Sequence, residues 1–254
     1  MTAPDPAEYD LWIRRFHQAP DAPVRLLCLP HAGGSASFYF PVSAALSPGI
    51  EVLAVQYPGR QDRRSEPSIG TVAELADRIH RVLAPVEDDR PLALFGHSMG
   101  AVLGFELARR LEADGRAPAV LFASGRRGPA THRDERVHLR DDDGLVAELK
   151  TLSGTNTALL GDEEILRMIL PAIRNDYRAI ETYRRPEGGP LSSPIVALIG
   201  DDDTKSSVEE AKAWAEETTG DFKLRVFPGG HFYLAAHQRE VLAEITDGLA
   251  AHSA

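Results

Sequence analysis

Disulfide bonding within the chain is excluded at the outset, because its 254 residues include a single cysteine, Cys28. Cys28 lies inside the apolar run Val24 to Leu29, with no neighbouring feature to lower its pKa, so a packed strand thiol is expected rather than a nucleophile. Long hydrophobic runs are missing too; none approaches the roughly 18 to 20 residues of a membrane span. The first residues, Met1 to Gln18, lack the basic start and apolar centre of a secretory signal and carry Asp5, Glu8, Asp10, Arg14 and Arg15 instead. A cytoplasmic protein is therefore expected. Basic charge is scarce, with 28 Lys and Arg against 38 Asp and Glu and a formal net charge of −10. That balance argues against nucleic acid as the main partner, since phosphate backbones are bound by lysine and arginine. One cluster, Arg126, Arg127, Arg133, Arg136 and Arg140, could meet an acidic partner. With Asp134 and Glu135 interspersed, it reads equally well as a solvated loop. Internal repeats and low-complexity tracts are also missing.

What remains is ordinary for a globular protein: 43% hydrophobic and 26% charged residues, enough for a sizeable core. One domain over residues 1–254 is expected. Apolar runs at Val24 to Leu29, Val52 to Val55, Leu92 to Phe95, Ala119 to Ala123, Ile195 to Ile199 and Lys223 to Phe227 read as strands. Helical stretches separate them, the pattern of a mostly parallel α/β sheet. Thr71 to Leu83 opens with Thr71 and Glu74 in capping-box spacing and carries Val72, Leu75, Ile79 and Val82 on one face. Ser206 or Ser207 starts a helix through Trp214, and the chain closes as a helix after His231. Between Ser124 and Pro194 the strand signals stop for about seventy residues. Helical patterns near Gly144 to Leu152 and Glu163 to Arg184 replace them, which suggests an inserted cap at about 125–190. Pro171 should break or kink the longer pattern into two helices at an angle.

Chemistry enters at Gly96-His97-Ser98-Met99-Gly100, a G-x-S-x-G sequence between the strand Leu92 to Phe95 and the helical run Ala101 to Leu111. Small residues on both sides allow a sharp strand-to-helix turn that exposes the Ser98 hydroxyl, and the helix start offers a backbone N–H to an oxyanion. A serine so presented needs a base. In this arrangement the chain order is serine, acid, histidine, which sets aside His31, His80 and His97. His132 and His138 lie in a charged loop, His237 within the terminal helix and His252 near the end. His231 follows a strand and the turn Pro228-Gly229-Gly230, where a loop leaves the carboxyl edge of a parallel sheet. It is the expected base. Asp201, Asp202 and Asp203 all follow the strand ending at Gly200, and any could orient the imidazole. Asp203 is favoured, because a loop needs two or three residues to turn toward the histidine. The loop Leu29-Pro30-His31-Ala32-Gly33-Gly34-Ser35-Ala36 carries glycines that let consecutive N–H groups converge. The N–H groups of Ala32 and Met99 are the expected oxyanion pair. A phosphate cradle at His31 to Gly34 is disfavoured for want of the P-loop lysine.

The same residues resemble the type II thioesterases that accompany polyketide synthases and nonribosomal peptide synthetases. The resemblance covers nearly the whole chain. It rests on Leu29-Pro30-His31-Ala32-Gly33-Gly34-Ser35, Gln56-Tyr57-Pro58-Gly59-Arg60, Gly96-His97-Ser98-Met99-Gly100, Ser124-Gly125-Arg126-Arg127 and Gly229-Gly230-His231-Phe232, with Leu170 to Tyr177 similar to the family's cap segment. It implies an α/β-hydrolase fold with a helical cap, Ser98 as nucleophile, Asp203 as acid, His231 as base, and Ala32 and Met99 as oxyanion donors. Thr204 departs from the family, where proline is frequent. The implied substrate is an acyl thioester on the phosphopantetheine arm of an acyl or peptidyl carrier protein. The implied role is release of stalled or aberrant acyl groups in antibiotic or other secondary-metabolite biosynthesis. No metal or cofactor is implied beyond the arm that the carrier itself brings. Acyl-pocket lining is open, with Met99, Phe38 and Tyr39 as candidates that core packing explains at least as well. Arg60 is structural as readily as functional. Two other readings use the same residues: a general carboxylesterase or lipase, and a noncatalytic carrier-binding protein.

Overall fold

Five of the strands bury side chains of alternating direction, so the sheet must be covered on both faces. A computed structural model describes residues 6–84, 88–153 and 163–252. Its core strands are β2 (Val24–Leu29), β3 (Ile50–Val55), β4 (Leu92–His97), β5 (Leu121–Ser124), β6 (Ile195–Gly200) and β7 (Phe222–Phe227). With a short β1 (Ile13–Arg14) they form one seven-stranded sheet in the order β1-β3-β2-β4-β5-β6-β7. Every pairing is parallel except β1 with β3. In β2, Leu27 and Leu29 enter one core cluster while Val24, Leu26 and Cys28 enter the other. β4, β5 and β6 divide the same way, as successive strand residues must.

Helices supply the outer layers. α3 (Val72–Leu83) and α4 (Met99–Ala113) pack on the first face. α2 (Phe40–Leu46) and α9 (Gln238–Leu249) pack on the second. The Thr71 hydroxyl caps α3 by accepting from Glu74 N at 3.2 Å. Ser207 and Glu210 form a reciprocal capping box at the start of α7 (Val208–Lys212). Ser206 is instead buried and accepts the Arg127 N–H at 2.9 Å. Between β5 and β6 lie α5 (Asp142–Ser153) and α6 (Glu163–Glu181). The expected cap range includes residues 154–162, which fall outside the described residues.

Two expectations need correction. α6 runs unbroken through Pro171. One proline removes a single donor from the ladder, a cost of about 3 kcal/mol, and Leu170, Ile173 and Tyr177 on the same segment are buried in a common cluster. The closing helix is split at His237, between α8 (Tyr233–Ala236) and α9. The arginine cluster, read from sequence either as a basic patch or as a loop with interspersed acids, takes the second form: Arg127 pairs with Glu135, Arg133 with Glu210, Arg136 with Asp134 and Arg140 with Glu148. Among the described residues no helix is long and apolar enough to cross a membrane.

The turn from β4 into α4 sets the whole arrangement. Ser98 sits at φ 56, ψ −113, a left-handed conformation that side-chain-bearing residues rarely adopt. Its flanking glycines exist for contact. A Cβ on Gly96 would lie 2.0 Å from the Gly100 carbonyl oxygen, and one on Gly100 would lie 2.0 Å from the Leu29 carbonyl oxygen. Both obstacles are backbone, so neither can swing aside. Gly100→Ala should therefore destabilise the fold by about 2–3 kcal/mol, whereas Gly189→Ala, with nothing within 4 Å of its added Cβ, should leave the thermal midpoint nearly unchanged.

Candidate active site

Loops leaving the carboxyl edges of five parallel strands meet over one cavity of about 210 Å3. Its wall includes Ala32 after β2, Ser98 after β4, Arg126 after β5, Lys205 after β6 and His231 after β7. The cap helices close the other side with Leu149, Leu152, Ile169, Ile173, Tyr177 and Ile180. α6 contributes at positions 169, 173, 177 and 180, the spacing of one helical face. Of the lining candidates named from sequence, none belongs to this wall. Met99 and Tyr39 are fully buried core residues, and Phe38 stacks edge-on against His31.

Asp203 is the aspartate that reaches the histidine. His231 Nδ1 lies 3.0 and 2.9 Å from the two Asp203 carboxylate oxygens. A carboxylate can only accept, so Nδ1 carries a proton, which in the neutral imidazole leaves the lone pair on Nε2. Asp203 also accepts from Lys205 N at 2.8 Å. Asp201 instead accepts from Gly229 N at 2.8 Å, bracing the turn ahead of His231. Ser98 and His231 share the cavity wall without a hydrogen bond between them among the described residues.

The loop after β2 is held from several sides. Tyr39 donates to Leu29 O at 2.8 Å and Tyr57 to Pro30 O at 3.1 Å. Gln56 Oε1 accepts from Ala36 N at 3.1 Å. Arg60 donates to Gly34 O at 3.0 Å and grips Asp176 of α6 through two bonds of 2.6 and 2.9 Å. The same carboxylate accepts Gly33 N at 2.8 Å, while Gly34 N bonds His31 O at 2.9 Å. Gly33 and Gly34 thus have their N–H groups engaged. Those of Ala32 and Met99 have no protein acceptor among the described residues. The Gln56 to Arg60 segment is therefore a brace for this loop, tied to the cap by a buried ion pair. Sequence reading left Arg60 undecided, because its partner lies 116 residues away.

Two histidines that chain order set aside pack beside His231. His97 lies 5.0 Å from His231 between ring centroids and 5.9 Å from His31. His97 Nδ1 bonds Ser124 Oγ at 2.9 Å, and that hydroxyl meets Tyr233 OH at 2.6 Å. Burial, and then proximity to His231, pushes His31 down to about 3 and His97 well below the usual range. Both are neutral at pH 7.

A parallel, doubly covered sheet with a serine on the β4–α4 elbow and an aspartate-bound histidine after the last strand defines an α/β-hydrolase. Comparison with known proteins narrows this. The thioesterase domain family model matches residues 24–249. The chain is 49% identical over 240 residues to the thioesterase PikA5 of Streptomyces venezuelae, covering 94% of this chain and 85% of that protein. It is 58% identical over 238 residues to a probable cadicidin biosynthesis thioesterase of Streptomyces griseus, covering 94% of this chain and spanning only 66% of that protein's length. The solved structure of BorB, a type II thioesterase from the borrelidin biosynthetic cluster, superimposes with TM-score 0.89 at 53% identity, covering 94% of this chain and 98% of that one. The chain belongs to the thioesterase family, among the type II thioesterases of polyketide and nonribosomal peptide pathways.

Two outcomes follow from the geometry. Asp176→Ala strands a buried guanidinium and should cost about 3–5 kcal/mol in denaturant unfolding; adding Arg60→Met should recover part of that loss. A histidine held neutral below its ordinary pKa contributes stability that is complete above about pH 6.5 and lost as pH falls, because the unfolded chain takes up the proton first. His97→Asn should accordingly flatten the fall of the thermal midpoint below about pH 6.5; an unaltered acid limb would contradict that role.

Proposed function

We propose that the chain hydrolyses acyl groups from the phosphopantetheine thiol of carrier proteins, freeing arms blocked by stalled or aberrant acyl groups in polyketide or nonribosomal peptide biosynthesis. The observation that carries this reading is the His231–Asp203 contact at a cavity shared with Ser98, on a chain of the thioesterase family. Ser98 Oγ attacks the thioester carbonyl while His231 Nε2 takes its proton. The oxyanion is received by the N–H groups of Ala32 and Met99, each donor worth roughly 3–4 kcal/mol to the transition state. On collapse the C–S bond breaks and the thiol leaves with the proton from His231. Water, deprotonated by His231, then attacks the acyl-enzyme, and Ser98 regains its proton as the acid departs. Asp203 keeps the imidazole in the required tautomer throughout. Water is the sole co-reactant in this scheme.

The helices between β5 and β6 act as a cap in this reading, one unit with the hydrolase domain rather than a second domain. Their apolar face would receive the acyl chain, and the carrier arm would enter beside the oxyanion loop. Ser98→Ala should lower deacylation of an acyl carrier protein by roughly a million-fold, followed by mass spectrometry of the carrier. Undiminished deacylation would remove Ser98 from the nucleophile's role. Faster cleavage of the matching oxygen ester than of the carrier thioester would favour a general esterase instead.

A further inference from the structure

Arg126 is only 8% exposed and lines the cavity, yet its guanidinium has no hydrogen-bond or ion-pair partner among the described residues. Its backbone is pinned: Trp214 Nε1 donates to Arg126 O at 2.8 Å, and the next N–H is held by Ser206. The carboxylates that could have paired with it are already engaged. Glu135 is bound by Arg127 at 2.6 Å, Asp203 by His231, and Glu181 by the N–H groups of Val137 and His138 at 2.9 and 3.1 Å. The five N–H donors of Arg126 open onto the cavity without a protein acceptor, where an oxygen of a bound ligand can reach them.

The position along the cavity indicates where on a ligand that acceptor would be. Ile173 stands against the oxyanion loop, where a Cβ on Gly33 would lie 2.7 Å from its Cγ1. Arg126 borders the far end with Ile180 and Glu181, residues it also shares with an adjoining smaller cavity. At 1.5 Å per residue along α6 the two ends are about 10 Å apart. The charge balance then selects the ligand's chemistry. Glu135, Asp203 and Glu181 partly compensate the guanidinium from a distance, and Arg127 is the cation that opposes it. The cavity end holds no surplus positive charge, so a neutral oxygen suits it better than a second carboxylate.

Resting on the thioesterase reading, we infer that Arg126 is a specificity residue, donating to a keto or hydroxyl oxygen several carbons from the thioester of the bound acyl group. Burial of this arginine, which lowers it to about 10, leaves it charged at neutral pH.

The test compares kcat/KM for octanoyl-pantetheine with that for keto-octanoyl-pantetheines differing in keto position. The wild type should favour one keto isomer over octanoyl by roughly ten- to a hundredfold. Arg126→Met should bring that ratio close to one, and Arg126→Lys should leave an intermediate preference. If the Met variant does not fold, the Lys variant and the wild type decide. A wild-type ratio near one for every isomer, or a preference that survives in Arg126→Met, would overturn the assignment. A stronger preference for the dicarboxylic analogue would overturn the neutral-oxygen ligand. Wild type that cleaves none of these thioesters would instead sink the thioesterase reading.

Discussion

The backbone contact between the start of α4 and the end of β2 is the constraint on which the site depends. Gly100 approaches the Leu29 carbonyl so closely that no side chain fits, and this seats the helix directly over the strand that leads into the oxyanion loop. The conformation forced on Ser98 costs about 1–3 kcal/mol in strain. It persists because α4 is buried along most of its length between the sheet and the outer helices, and because Ser98 N is fixed on Ser124 O at 2.8 Å. Packing holds a backbone shape that local preference would release. That shape places Ser98 in the cavity wall at the start of α4.

Electrostatics at the site follow from burial more than from charge. Three imidazoles lie in a row, but only His231 has a carboxylate on its ring. Protonating His97 or His31 would put a charge in a desolvated place without a counterion, so a proton arriving at His231 has no competing resting place among its neighbours. Tyr233 and Ser124 complete the surroundings of His97 from the side away from the cavity. The pair of neutral rings therefore packs beside His231 without adding charge to the site.

Much of the sheet was legible because its strands are short apolar runs bounded by glycine, proline or charge, and the strand ends located the histidine and the aspartate loop. Asp203 could be favoured by loop length alone. The segment Pro6 to Arg14 was not foreseen, since its helix and two-residue strand carry too little periodicity to stand out. The lining of the cavity stayed open for another reason. Met99 and Tyr39 lie near the serine in sequence or topology, but their side chains point into the core, whereas Ile169, Ile173 and Ile180 come from a helix whose orientation no local pattern fixes. Arg60 with Asp176, and the unpaired Arg126, are facts of tertiary pairing; the sequence shows the residues but not which of them meet.

The Arg60–Asp176 bond makes the cap and the catalytic loop parts of one inheritance. Asp176 belongs to the segment between β5 and β6, Arg60 to the loop after β3, and Gly33 to the loop after β2. A cap exchanged into this chain would keep the contact only if it brought an aspartate at position 176 to meet Arg60. The segment between β5 and β6 is thereby tied to residues more than a hundred positions earlier in the chain, beyond the helices that line the cavity.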